Sequence, residues 1–569
     1  MTVLSPARSS LRMVSVLDAL LAILDRVRVL IIRLWPAWLF SAYFFGGWWF
    51  ASKGDGIQDA YSRIASAWQI AAGFEPHLTE IGFVWGPIPV VPEIPFAIIG
   101  RYWAPMITMG LCATIVTAGF GILMVYQAKM LFTERGLRPA TVTALCWLMA
   151  FNPMLFIYSS NGMSEIPYIA LLMAGIRYLS RWETSRATLD LAAASMLVGL
   201  ATWDRYEALV AMVGLVSVVI LVLLHDTRGQ SWRERRGLFE ANLIIAVMPT
   251  LMFFGTFILF SWTLTGQPLA QFTSQQGNNV QILALLRSQH YSATATTRAI
   301  NISSELLHIA PVLPFLFFFV LGLIWTERSK LRISGLAIFG LPLIFDLYGL
   351  TSGIQFDFMR YYIQAIMLVF CLGVELTVAR RWGATVAVAA AAITALTVWT
   401  SMGNPNIGSL EYSYYVTLTG GEGHYYSDAQ LDTPHVMAQW FDRLSLPPDS
   451  VLTDPTFGGL MITQSRRPYQ FATSNDRNFL DVVNAPYKHH VRYVITVPSS
   501  LGTIYPISAY FPTMFNGCVP NTQLAAQFVL HGLQGFRRTY RVYKITGPIS
   551  PSGVKADEKC LYPTPPNTH

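Results

Sequence analysis

The residues whose types and spacing fit chemistry fall in Ala51–Pro95, a polar stretch that interrupts an otherwise apolar chain. Asp55 and Asp59 stand four apart, so a helix running through Gly56 would aim both carboxylates the same way. A carboxylate held in position can take up a proton from a reacting group. The same spacing sets Asp59 against Arg63 as a helix-surface ion pair, contributing only about 0.3 kcal/mol. The two readings are compatible, since Arg63 would then orient the acid. Ile57, Tyr61, Ile64, Trp68 and Ala71 recur at three- and four-residue steps, with Ser62, Arg63, Ser66 and Gln69 opposite. That is the pattern of an amphipathic helix lying on a membrane surface.

Other ionisable residues cluster where apolar runs end. Glu165 follows Asn161-Gly162-Met163-Ser164; Asp204-Arg205-Tyr206-Glu207 makes a turn; Asp357-Phe358-Met359-Arg360-Tyr361-Tyr362 opens a later run. A charge at the centre of a membrane helix costs about 2.5–3.5 kcal/mol on insertion scales, so several on one face imply a polar cavity. Turns at the water boundary that merely tolerate charge are the plainer explanation for any one of them. His77 is a lone histidine beside a turn and reads as a surface residue rather than a base. Trp85, in a proline-broken run that reads as a second interfacial segment, fits the headgroup level or a stacking role.

The elements that must position these residues are membrane helices. The 569 residues are 53% hydrophobic and 12% charged, against about 25% charged in soluble chains. Apolar spans fall near 29–50, 103–128, 139–158, 163–180, 188–203, 207–224, 239–264, 309–325, 333–350, 361–378 and 385–402, eleven in all. The net charge of +7 resides in short Arg- and Lys-bearing loops on one side of these spans. Such loops set orientation and do not indicate nucleic acid: the N-terminus is expected inside and the C-terminus outside, with loops 51–95 and 265–305 also outside. Residues 10–30 read as a short amphipathic helix, and no cleavable signal is evident.

The chain thus divides into a membrane part, 1–402, and an outer tail, 403–569, whose strand-like and helix-like runs predict a small α/β domain. Its Tyr-rich entry, Glu411–Tyr415, fits interface packing better than sugar stacking. Cys518 and Cys560 lie in that tail, where an oxidising compartment permits a disulfide between them. Cys112, Cys146 and Cys371 lie in apolar spans as packing residues, and no group of cysteines has metal-ligand spacing.

The motifs QDAYSRIASAWQIA, EIGFVWGPIP, NPMLFIYSSNGMSEIPYIALLMAGIRYL, ATWDRYEAL and FMRYYIQAIML, in this order, resemble the GT-C superfamily of membrane glycosyltransferases over residues 40–380. Within it the chain looks most like bacterial relatives of protein O-mannosyltransferases and lipid A aminoarabinose transferases. The resemblance implies an inverting enzyme of the bacterial plasma membrane that moves a sugar from a polyprenyl-phosphate donor to an outer acceptor, whether glycan, lipid or protein. It implies a first-loop acid as base, with Asp59 the matching position. Family members often carry two adjacent acids, whereas Asp55 and Asp59 are separated, which leaves the choice between them and any divalent metal open. Arg205 and Arg360, with Arg63 in reserve, would meet the donor phosphate. Glu165, Tyr206, Glu207, Trp85 and Tyr361 would line the sugar cavity. A saccharide transporter or flippase is the alternative, although the chain shows no matching halves.

Overall fold

The computed structural model describes residues 34–551, apart from 75, 83–85, 274–293, 327–331, 421–431, 499–504 and 532–536. The expected helix at 10–30, Trp85, Cys560 and the centre of the 265–305 loop therefore lie outside the described residues.

Among the described residues each expected apolar span is built of helix. In chain order these are α1 (Trp35–Ser52), α2 (Gln58–Ala72, in the polar stretch), α3 (Leu111–Glu134), α4 (Pro139–Ala150), α5 (Pro153–Ser160), α6 (Glu165–Ser185), α7 (Thr188–Ala201), α8 (Ala208–Asp226), α9 (Trp232–Thr265), α10 (Ala295–Ile309), α11 (Leu313–Thr326), α12 (Ser334–Ser352), α13 (Ile363–Ala379) and α14 (Gly383–Met402). Among the described residues, six helices are long and apolar enough to cross a membrane, or up to eight if the bent pairs α4/α5 and α10/α11 each count as one span. The chain is a multi-pass membrane protein. The remaining expected spans are helices of a different make-up: α1 is built largely of Trp, Phe, Tyr and Gly, α6 carries Glu165, Arg177, Arg181 and Glu183, and α7 is only 14 residues long. The bend between α4 and α5 has a local cause. Pro153 opens α5 under an Asn152 cap that accepts from the N–H groups of Met154 and Leu155, and α4 and α5 meet at 60°. Residues 295–305, expected within a loop, are helical as part of α10.

Beyond Met402 the chain forms α15 (Glu411–Leu418), α16 (Asp432–Leu444), α17 (Pro455–Gln464) and a five-stranded sheet of β1 (Val451–Leu452), β2 (Phe471–Ala472), β3 (Tyr493–Thr496), β4 (Thr522–His531) and β5 (Arg537–Ile545). Strand order is β2-β1-β3-β5-β4. The β1 contacts are parallel, while β5 pairs antiparallel with both β3 and β4, with an irregularity at Leu524/Ala526. Phe441 of α16 packs against Phe471 and Tyr493, covering one sheet face. The Tyr-rich entry packs inward: Tyr414 meets Phe50 edge-on at 4.9 Å and Tyr415 meets Trp399 at 4.8 Å.

The first polar stretch is where structure and expectation part. Helix α2 does form, but its polar face is covered by protein and not wet. Ser62, Arg63, Ser66 and Gln69 are as buried as Ile64 and Ala65. For Ser62 and Gln69 the cause is a long-range contact that periodicity cannot register. Helix α17 lies across α2, with Gly459 so close to the Ser62 backbone that a Cβ there would stand 3.0 Å from Ser62 Cα, and Gln69 Nε2 donates to the Phe471 carbonyl at 3.3 Å.

Candidate active site

Three helix N-termini supply the acids of the site. Asp59 lies in the first turn of α2, Glu165 opens α6, and Glu207 stands just before Ala208 of α8. This is where partial positive charge from unpaired N–H groups favours a carboxylate. Two arginines come from turns: Arg205 from the α7–α8 connection and Arg360 from the 3₁₀ turn Met359–Tyr362 that leads into α13.

Together they make one chain of alternating charge. Arg360 Nη2 donates to Asp59 Oδ2 at 2.9 Å, and its Nε stands 3.6 Å from Glu165 Oε1. Arg205 Nη1 donates to the same Glu165 oxygen at 2.8 Å, and its Nη2 to Glu207 Oε1 at 2.8 Å. The Tyr361 ring lies 5.5 Å from the Arg205 guanidinium and 5.7 Å from that of Arg360, within cation–π reach of both. Side-chain exposure separates the acids: Asp59 keeps 23%, whereas Glu165 and Glu207 keep 2%. Asp59 is the acid a ligand can reach.

Capacity for hydrogen bonding is left over. Arg360 Nη1, Glu165 Oε2, Glu207 Oε2 and both carboxylate oxygens of Asp204 are buried without a hydrogen-bond partner among the described residues. Burial pushes the Asp204 carboxyl well above its ordinary range, and the nearby Arg63 and Arg205 pull it back only in part. The turn bearing Asp204 is pinned from the Pro-rich segment below: Ile88 N–H donates to the Trp203 carbonyl at 3.2 Å, and a Cβ on Gly86 would stand 1.9 Å from that oxygen. Only glycine fits at position 86.

The two first-loop acids do not act as a pair. Asp55 precedes the helix, which starts at Gln58, so the shared helical face expected through Gly56 does not exist. Its buried carboxylate instead accepts from the hydroxyls of Ser413 and Thr417, the latter at 2.5 Å, both on α15. The ion pair of Asp59 is with Arg360, while Arg63 lies near enough to feel its charge. The Arg63 guanidinium is buried, donating to Gly162 O at 3.4 Å and Ser164 Oγ at 3.3 Å, so it braces the turn before α6. Tyr206 packs against Phe272 and Phe345 at 5.4 and 6.3 Å, beside the charge chain rather than in it. Arg205, Arg360, Glu165, Glu207 and Tyr361 are thus gathered with Asp59, whereas Asp55, Arg63 and Tyr206 stand apart from the pairing. Cys518 is disulfide-bonded, and Cys112, Cys146 and Cys371 are free.

Some participants escaped the sequence reading. Tyr158 of α5 donates to Glu411 of α15, a buried hydrogen bond across 253 residues. With Ser413 and Thr417 it fastens α15 to the membrane helices. The i, i+4 spacing of Ser413 and Thr417 was the available signal, and it is too common to single out. Among the described residues the acids of this site form no three-ligand metal group.

No family model and no curated protein matches the sequence. Among solved structures the chain is similar to apo ArnT from Cupriavidus metallidurans, at 13% identity and a TM-score of 0.46, over 89% of this chain and 97% of that one. It is also similar to the apo Archaeoglobus fulgidus oligosaccharyltransferase, at 13% identity and a TM-score of 0.36, over 84% and 72%. A third is the Archaeoglobus fulgidus oligosaccharyltransferase AglB with an inhibitory peptide and dolichol-phosphate, at 11% identity and a TM-score of 0.30, over 91% and 74%.

Proposed function

We propose that this protein is a glycosyltransferase that moves a sugar from a polyprenyl-phosphate donor to an acceptor hydroxyl at the outer face of a bacterial plasma membrane. The observation that carries this reading is the Asp59–Arg360 contact: a reachable carboxylate joined at 2.9 Å to a guanidinium whose Nη1 has no hydrogen-bond partner among the described residues. A base and an anion ligand therefore stand side by side. The acceptor oxygen forms a bond to the anomeric carbon as the bond from that carbon to the phosphate oxygen breaks. The electron pair leaves with the phosphate, the hydroxyl proton passes to Asp59, and the configuration inverts. Arg360 offers Nη1 to the departing phosphate, and Arg205, fixed through Glu165, adds positive charge nearby. Glu165 and Glu207 hold the two guanidiniums in place, and Tyr361 lies between them. Arg63 acts at one remove, by bracing the turn that carries Glu165.

In this reading the eleven helical segments, with α4/α5 and α10/α11 each one span, cross the membrane. The N-terminus is cytoplasmic, and residues 403–569 form an outer α/β domain. The test is transfer from a short-chain polyprenyl-phosphate sugar by the full chain in proteoliposomes, comparing wild type with Asp59→Asn. Release of polyprenyl phosphate, abolished in the variant, supports the reading. Transbilayer movement of an intact donor with no release would replace it with a flippase.

A further inference from the structure

Outside the Asp59 site, one group of side chains has the make-up of a cation site. The 3₁₀ turn Leu78–Ile81 ends at Gly82 with φ of 74°, and a Cβ there would come within 2.7 Å of Asn475 Oδ1. Glycine lets the turn sit against residues 473–476, where Asn475 Nδ2 donates to the Glu80 carbonyl oxygen at 2.9 Å. This docking brings the Glu80 carboxylate, 4% exposed, against that of Asp476, with the imidazole of His77 beside both. One ligand atom from each residue lies within 4.8 Å of the other two.

Glu80 and Asp476 lie close enough to share a hydrogen bond when one of them carries a proton. Glu80 has the Thr473 hydroxyl at 3.4 Å and His77 Nε2 at 4.0 Å, while Asp476 Oδ2 accepts the Thr473 N–H at 2.5 Å. Among the described residues neither carboxylate is paired with a lysine or arginine. Two facing carboxylates repel, and a buried one with no cation is strongly unfavourable. The imidazole is also pre-set. Its Nδ1 is hydrogen-bonded to the Thr79 hydroxyl, which leaves Nε2 turned toward Glu80. Metal-ligating histidines have this arrangement, one ring nitrogen fixed by a second partner and the other on the metal.

We infer that His77, Glu80 and Asp476 bind a divalent transition-metal ion, with zinc the best match to one imidazole and two carboxylates. Donor atoms around a tetrahedral zinc stand about 3.4 Å apart, so small side-chain movements close the site. The ion ties the loop after α2 to the segment after β2, a further fastening between the first polar stretch and the chain beyond Met402. None of its ligands belongs to the Asp59 chain, so the inference stands or falls apart from the transfer reaction.

The experiment uses the full chain in detergent, with metal content measured by mass spectrometry and unfolding followed by scanning fluorimetry. About one zinc per chain is expected after dialysis against zinc and gel filtration. EDTA should lower Tm and added Zn²⁺ should restore it. His77→Gln and Asp476→Asn should each lose the metal and the response to EDTA. Wild-type protein that binds no metal and unfolds at the same temperature with or without EDTA overturns the inference, and so does metal content unchanged in both variants. A metal-free wild type that Asp476→Asn stabilises would show a shared proton between the carboxylates in place of a cation, and would overturn it as well.

Discussion

Exchanging each first-loop acid for its amide should separate two roles that one-dimensional spacing merges. Under the proposed reaction Asp59→Asn removes the group that takes the acceptor proton, and losing a general base lowers turnover about 10²–10⁴-fold. At 1.36 kcal/mol per tenfold, that is about 3 to 5 kcal/mol of barrier. Its effect on folding should be small. Asn still offers Arg360 an oxygen at the 2.9 Å position, and the carboxylate it replaces is partly exposed and screened, so the loss is about 1 kcal/mol. Asp55→Asn should do the reverse. The Ser413 and Thr417 hydroxyls both donate to Asp55 in a buried setting. An amide has only one oxygen to offer, so one hydroxyl must turn and accept instead, a loss of about 1 to 2 kcal/mol. Turnover per folded molecule should stay near wild type. The assay pairs release of polyprenyl phosphate in proteoliposomes with scanning fluorimetry in detergent. If Asp55→Asn is as inactive as Asp59→Asn per folded molecule, or Asp59→Asn turns over within about twofold of wild type, then the division of labour between the two acids is wrong.

Arg360→Ala should raise the half-saturating donor concentration by at least about tenfold while shifting that of the acceptor little, read from initial rates at varied donor and acceptor; equal shifts would contradict the phosphate role. Asp204→Asn should alter the pH dependence of stability. Because burial raises the Asp204 pKa in the folded chain, its contribution is complete below the ordinary carboxylate range and is lost as pH rises through the raised value. The amide, always neutral, should flatten that alkaline loss in Tm, and identical pH profiles would refute the assignment. Gly86→Ala should strongly reduce folded yield, since its Cβ would stand 1.9 Å from the Trp203 carbonyl; normal yield and stability, measured by gel filtration and fluorimetry, would show that the turn can move aside.

Much of the helical framework was legible because membrane helices are written locally, as apolar runs bounded by Arg and Lys. The grouping of Asp59, Glu165, Arg205, Glu207, Tyr361 and Arg360 was legible for a related reason: charges placed where spans end on one side have few places to go but together. Their pairing was not. Arg63 stands at the right interval for Asp59 along α2, yet Arg360, 301 residues away, makes the contact. Asp55 was misplaced because Gly56 allows a chain path that ends the helical face before it begins. The burial of Ser62 and Gln69 was invisible for want of any local trace of α17 and β2. His77 read as an isolated surface residue because its neighbours Glu80 and Asp476 meet it only through the docking of Gly82 on Asn475.

That α2 is covered by residues 459–471 has a consequence for how the chain is made. The helix leaves the ribosome nearly 400 residues before its cover does, and at about 5–20 residues per second the interval is about 20 to 80 s. For that time Ser62 and Gln69 lack the cover that Gly459 and the Phe471 carbonyl later give them. Synthesis therefore finishes the apolar helices before it covers the helix bearing Asp59, so a nascent chain halted before α17 would hold every apolar helix yet leave that helix without its cover.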